Sequence, residues 1–193
     1  MSVATKSEFT VAEYLAFERN SEFRHEYYQG EIREMTGGTR RHVLVTLNLY
    51  RAAERQLPES EYFVVAIDMR VKVNPSGLYT YPDVVIVKGD PEFEDDQERT
   101  LLNPILLMEV LSDSTEEYDR NEKFSLFQKM PGFQEYVLAA QDRPKIDHYV
   151  RNTRGTWDHF THESLSETLN LQSMPCSIPL TTIYKKIQFA LES

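Results

Sequence analysis

The sequence predicts one α/β domain of α+β character, residues 1–193, with a mixed β-sheet core flanked by helices. Three observations carry that prediction. Pro104-Ile105-Leu106-Leu107-Met108-Glu109-Val110-Leu111 is short and aliphatic, is closed by Ser112-Asp113-Ser114, and has the composition of a strand buried on both faces. A second short run, Val84-Val85-Ile86-Val87, opens directly after Pro82-Asp83. The order of elements around them (helix, hairpin, helix, strands, crossover helix, strands) belongs to a mixed sheet rather than to a bundle or a sandwich.

Thr10-Val11-Ala12-Glu13 has the spacing of a capping box and predicts a helix to about Glu18. Phe23 to Tyr28 and Glu31 to Met35 flank Gln29-Gly30 as a tight hairpin. After Gly37-Gly38, Thr39 is placed to cap a helix to about Leu57, with Val43, Leu47, Tyr50 and Leu57 spaced for one buried face and Pro58 as its stop. Tyr62 to Ile67 and Met69 to Val73 read as strands, and Asn74-Pro75-Ser76-Gly77 as a turn. Beyond the two apolar runs, Ser114 or Thr115 starts a helix to about Met130, stopped by Pro131-Gly132. Phe133 to Ala140, Lys145 to Val150 and Trp157 to Thr161 predict further strands. Pro179 predicts the first residue of a C-terminal helix carrying Ile183, Ile187, Ala190 and Leu191.

Composition narrows the function. At 193 residues and 40% apolar content the chain supports a real core, and no apolar run approaches the ~18 residues a bilayer requires. Met1-Ser2-Val3-Ala4-Thr5-Lys6 lacks the apolar stretch of a secretory signal, and the lone Cys176 forms no internal disulfide, so a cytoplasmic setting is expected with Cys176 as a packing residue. The net charge of -10 weighs against a polyanion partner without excluding one. Much of that charge lies in Glu92, Glu94, Asp95, Asp96 and Glu98, a solvated loop, while cations group at Arg40-Arg41, Arg51 with Arg55, and Arg70 with Lys72.

The chemistry rests on Glu109. A carboxylate in a doubly buried strand loses hydration at a cost of several kcal/mol unless a cation or a hydrogen-bond network compensates. Asp83, at the start of the neighbouring run, supplies a second acid, and Lys123 follows fourteen residues after Glu109 in a helical stretch. Two carboxylates that hold a divalent metal with open positions for water and phosphate suit phosphodiester hydrolysis, and Mg²⁺ prefers one or two such ligands. Lys123 is placed to assist the base or to stabilise developing charge. Glu31 is either an additional contributor from the hairpin or a solvated charge. His42 contacts phosphate, tunes a carboxylate, or lies on the surface. His148, His159 and His162 lack metal-ligand spacing and read as surface or structural. Ser112, Asp113 and Ser114 read as helix caps, and no glycine loop suggests a nucleotide cofactor.

Pro82-Asp83 followed by Glu109-Val110-Leu111 resembles the PD-(D/E)xK nuclease pattern, with Leu111 where the motif carries lysine and Lys123 matching members that place it on the following helix. The wider block resembles the Uma family of bacterial restriction endonucleases within that superfamily. It comprises Pro82-Asp83-Val84-Val85, Glu109-Val110-Leu111-Ser112 with Ser114-Thr115, Tyr118-Asp119-Arg120 with Lys123, and Gly132-Phe133 with Glu135-Tyr136. Gly30-Glu31-Ile32, Met35 and His42 match the family's opening, so the likeness covers roughly residues 8 to 190. Val137-Leu138-Ala139-Ala140 departs from it, where the family carries a tryptophan and an aspartate-proline turn.

The resemblance implies a restriction-endonuclease-like fold and a Mg²⁺- or Mn²⁺-dependent endonuclease acting on DNA. It makes Asp83 and Glu109 the metal ligands and Lys123 the third catalytic group, with Glu31 and His42 as additional candidates. The alternative is a catalytically inactive nuclease-fold binding module. A homodimer is also expected, because two strands must be cut and because Tyr149, Trp157, Phe160, Ile183 and Phe189 exceed the apolar needs of a sheet edge.

Overall fold

The computed structural model describes residues 8–35 and 37–189. Helix α1 (Val11–Glu18) opens on the expected capping box, with Thr10 accepting from the Glu13 N–H and Glu13 accepting from the Thr10 N–H. Strands β1 (His25–Tyr28) and β2 (Glu31–Glu34) turn at Gln29 and Gly30, whose φ values of 48° and 90° suit the twist of a tight hairpin. Helix α2 (Arg40–Glu54) is capped by the Thr39 hydroxyl, which accepts from the His42 N–H at 3.2 Å.

Next come β3 (Tyr62–Ala66), β4 (Arg70–Val73), β5 (Leu78–Thr80), β6 (Val84–Lys88), β7 (Thr100–Leu101) and β8 (Leu106–Leu111). A helical stretch follows in three parts: α3 (Glu116–Tyr118), a π-helical turn (Asp119–Lys123) and α4 (Phe124–Phe127). The chain continues through β9 (Glu135–Ala140), β10 (Ile146–Arg151), β11 (Trp157–His162), β12 (Thr168–Leu171), β13 (Cys176–Pro179) and α5 (Leu180–Ile183).

The central sheet runs β11-β10-β9-β8-β6-β3, antiparallel except for the parallel β8–β9 pair that the helical crossover requires. A second sheet, β2-β1-β5-β4-β7, and the β12–β13 hairpin complete the architecture among the described residues. Side chains of β6 and β8 alternate between two cores. Val84, Ile86, Leu106, Met108 and Val110 pack with α2, β13 and α5, whereas Val85, Val87, Leu107 and Leu111 pack with Phe124, Leu126 and Phe127. The doubly buried strand read from the sequence is therefore present, and Glu109 points to the helical-crossover side with Leu107 and Leu111.

Several expectations need correction. Of the expected face of α2, Leu57 is buried and Tyr50 packs against the core, but Val43 is 41% exposed, and within the helix the buried face is Val45, Leu49, Ala52 and Ala53. The two alanines let the helix lie close to the sheet, so small residues define a face that a search for large ones overlooks. The helix foreseen to Met130 contains a π turn and ends at Phe127, and no side-chain cap bond forms at Thr115. Ser112 instead bonds Ser114 and Thr115 through its hydroxyl.

Strands β5, β7, β12 and β13 were not foreseen, each being two to four residues long and too short for a periodic signal. Pro179 stands at the N-cap of a single turn rather than inside a long helix, and Ala190 and Leu191 lie outside the described residues. Arg70 is buried, donating to Thr100 and Tyr81, and Lys72 pairs with Glu94, so neither is a free surface cation. The apolar surplus of the late segments is largely absorbed. Ile183 is fully buried, Tyr149 and Trp157 pack on Phe124, Phe189 packs on Tyr184, and Phe160 stays exposed.

The reassigned face of α2 has a direct test in urea denaturation. Leu49→Ala is expected to cost about 2–5 kcal/mol, as large-to-small changes in a closed core do. Val43→Ala is expected to stay within about 0.5 kcal/mol, as surface changes do. Equal losses at the two positions would contradict this packing.

Candidate active site

Strands β6 and β8 stop pairing at Val84 and Met108, and the next residues open into the site. Asp83 replaces the missing ladder bond with its side chain: Oδ2 accepts from the Val110 N–H at 2.7 Å. Its Oδ1 accepts from Thr46 at 3.2 Å and lies 2.7 Å from His42 Nε2, both on the first turns of α2. Gly38 permits this placement, because a Cβ there would lie 2.9 Å from the His42 ring. Burial would lower the His42 pKa, but the bond to Asp83 outweighs it and the net shift is upward.

Glu109 is one residue past the last β6–β8 pair. Its Oε2 accepts only a long 3.4 Å bond from the Asp83 N–H. Its Oε1 lies 2.8 Å from Lys123 Nζ in a short, buried ion pair. Lys123 comes from the last residue of the π turn and is buried, with Glu26 Oε1 at 3.0 Å and Asp119 Oδ1 at 3.4 Å. Glu26 also accepts from Thr80 on β5. Glu26, Glu109 and Asp119 thus surround one ammonium, with Asp83 against Glu109 on the open side.

The electrostatics follow from this crowding. Burial raises the Glu109 pKa well above the usual carboxylate value, Lys123 opposes the rise, and Asp119 and Asp83 add to it. Burial would lower the Lys123 pKa, but Glu109, Glu26 and Asp119 together push it well above normal. Lys123 is therefore a fixed cation at neutral pH. Burial raises Asp119 against the pull of Lys123, while for Glu26 the pull of Lys123 and the Thr80 bond overcome burial and lower it.

The sequence-predicted trio of Asp83, Glu109 and Lys123 is brought together, and His42 joins it through Asp83. Glu31 is not: it is exposed on β2 and pairs with Arg33 at 3.0 Å. The hairpin acid that reaches the site is Glu26, on the partner strand. Glu26, Asp119 and Thr46 were missed as site residues. The signal for Asp119 is its i,i+4 spacing to Lys123; Glu26 lies in an aromatic strand that carries no such signal. Elsewhere His148 pairs with Glu135 and His159 with Asp147, in keeping with structural roles. Burial pushes the Cys176 thiol up to about 11, which suits packing rather than nucleophilic use.

A divalent cation fits these residues. Three carboxylates surround the Lys123 ammonium, and Glu109 Oε2, which accepts only the long bond from the Asp83 N–H, is the lightly engaged oxygen on the Asp83 side. Among the described residues no trio of His, Cys, Asp or Glu forms a ready-made metal cage. A pair of acids completed by water and phosphate is the arrangement Mg²⁺ favours.

The raised Glu109 pKa sets a pH dependence of stability. Its folded value lies above its unfolded one, so its contribution is fully present below about 4.5 and is lost as pH rises through the folded value. Glu109→Gln is expected to make the metal-free protein at least as stable as the parent in thermal melts near pH 8. The advantage should shrink as pH falls. A variant that unfolds at pH 8 would show that ionised Glu109 is needed for folding.

Comparison with known proteins bears on the family and the fold. The sequence profile of the Uma2 family, described as "Putative restriction endonuclease", matches residues 11–182. The protein "Uncharacterized protein sll1609" of Synechocystis sp. is 35% identical over 157 residues, covering 81% of this chain and 89% of the relative. A second Synechocystis protein, "Uncharacterized protein slr1290", is 32% identical over 177 residues, 92% of each chain. Among solved structures, a "putative nuclease belonging to DUF820" from Anabaena variabilis superposes with a TM-score of 0.73 at 14% identity, covering 91% of this chain and 97% of that one. That likeness shows the fold, a restriction-endonuclease-like α+β domain. By the extent of the profile match and the identity of its full-length relatives, the chain belongs to the Uma2 family.

Proposed function

We propose that the protein is a divalent-metal-dependent endonuclease that hydrolyses phosphodiester bonds in DNA. The observation that carries this reading is the buried Lys123 ammonium held 2.8 Å from Glu109, in a carboxylate cluster that adjoins Asp83. Asp83 and Glu109 would hold Mg²⁺ or Mn²⁺, which when bound would supply Lewis acidity and a water of lowered pKa. His42, Thr46 and the Val110 N–H fix the Asp83 carboxylate in orientation. Lys123 stays protonated, so its role is to neutralise charge on the phosphate rather than to act as the base. Glu26 and Asp119 are positioning residues that hold the ammonium toward Glu109.

The second reading, a nuclease-fold binding module without catalysis, is favoured by one feature: both Asp83 oxygens are already engaged by His42, Thr46 and Val110. Cleavage of supercoiled plasmid in Mg²⁺ or Mn²⁺ separates the two. Asp83→Asn, Glu109→Gln and Lys123→Ala are each expected to reduce the rate by at least about 100-fold, the scale seen when a single charge-stabilising or acid–base group is lost. Glu31→Gln should remain near the parent rate. Parent protein that cleaves neither plasmid nor linear DNA, and whose melting temperature ignores both metals, supports the binding module instead.

We further propose a twofold homodimer, which would bring two sites to the two strands of a duplex, with the edge strand β11 and its exposed Phe160 as the remaining apolar motive. Light scattering at micromolar concentration should report about twice the 22.6 kDa chain mass. A value near one chain mass would remove this proposal and leave the chemistry untouched.

A further inference from the structure

On the face of α2 turned away from Asp83, a concavity of about 190 Å³ lies between the helix and the segment after α5. Arg51, Arg55, Lys185 and Lys186 line it together with Asn48 and Thr182, and no carboxylate takes part. All four cations are exposed, and no carboxylate among the described residues pairs with any of them. In a chain with 31 acidic and 21 basic residues, an acid-free group of four unpaired cations is a local reversal of the overall charge.

The groove is built rather than incidental. Asn48 clamps its two walls, donating from Nδ2 to the Ile183 carbonyl at 2.9 Å and to the Lys185 carbonyl at 3.0 Å. Arg41 adds a third tie, to the Gln188 carbonyl at 3.0 Å. Arg41, Asn48, Arg51 and Arg55 recur at i, i+7, i+10 and i+14 and so share one helix face. The plainer explanation, cations complementing the C-terminal dipole of α2, accounts for Arg51 and Arg55 but not for Lys185 and Lys186, which belong to another segment.

We propose that this groove is a docking surface for the phosphodiester backbone of duplex DNA, distinct from the cleavage site and tied to it by α2. The proposal rests on the nuclease reading above for the choice of DNA as the polyanion. The stripe starts at Arg41, the residue before His42, and runs about 21 Å along the helix to Arg55 at 1.5 Å per residue. Contacts of this kind carry affinity and register rather than sequence preference. They also give an acidic protein a local cationic surface for a polyanion, since no carboxylate lines the groove itself. Arginine forks and an amide in a polar concavity suit phosphate oxygens, whereas a membrane-binding surface would need an apolar face beside the cations.

The test is equilibrium binding of a fluorescent duplex to the full chain in EDTA, followed across salt by anisotropy, so that cleavage plays no part. The variant Arg51→Gln/Arg55→Gln/Lys185→Gln/Lys186→Gln is compared with an equal charge removal elsewhere, Arg19→Gln/Lys88→Gln/Lys129→Gln/Arg154→Gln. The groove variant should bind at least about tenfold more weakly, with a salt slope smaller by roughly 3 to 4, about 0.9 for each phosphate that is no longer neutralised. The control should keep most of the parent slope. Lys186→Gly isolates charge from folding, because Lys186 sits at φ 66°, a conformation glycine adopts without strain; it should melt no lower than the parent and reduce the slope by about one or less.

Equal slopes for parent and groove variant, or equal reductions in groove variant and control, would overturn the proposal while leaving the nuclease reading intact. Binding of phosphatidylserine vesicles in preference to duplex would overturn it in favour of a membrane partner. Duplex binding that the groove variant loses, by a parent chain that never cleaves, would uphold the groove and end the nuclease reading.

Discussion

A single buried ammonium organises this molecule. Lys123 is reached by Glu109 from the central sheet, Glu26 from the smaller sheet and Asp119 from its own helical turn, so three separate layers meet at one charge. None of these groups tolerates its surroundings alone. Each carboxylate would face a desolvation penalty of several kcal/mol without the lysine, and the lysine would face the same without them. The hairpin, β8 and the crossover are thereby tied to one another through one ammonium. It also gathers carboxylates at the point where β6 and β8 separate.

Asp83 plays a different part. It closes the open end of the β6–β8 ladder with a carboxylate in place of a carbonyl, so a strand terminus becomes a charged cleft without losing the backbone N–H of Val110 to solvent. His42 and Thr46 then fix that carboxylate from α2, and the helix becomes the element that links the cleft to the rest of the surface.

How much of this was legible depended on how local each signal was. Glu109 could be found because one charged residue broke an aliphatic run, and Asp83 because it opened the neighbouring one. The central strands, the hairpin, the cap of α2 and the family block all wrote themselves as short contiguous patterns. Glu26 could not be found in this way, because its burial is imposed by β5 and by a lysine nearly a hundred residues later, and nothing in His25-Glu26-Tyr27-Tyr28 records either. Glu31, at the start of the strand after the turn, carried the same charge and was the more visible choice, yet the hairpin turns it to solvent. The buried face of α2 was misplaced in part for a related reason: alanines at Ala52 and Ala53 mark close approach to the sheet, and their small size makes them quiet in a hydrophobic pattern.

The π turn from Asp119 to Lys123 places the lysine by an extra residue's worth of winding. A helix advances about 100° per residue, so a homologue shorter by one position in this stretch would keep both the lysine and the helix and still aim the ammonium away from Glu109. The site is therefore written in register as well as in residue type. Two chains can share every charged residue of this cluster and differ in whether those residues meet, which makes the length of the segment between Leu111 and Lys123 as informative about inheritance of the site as the residues themselves.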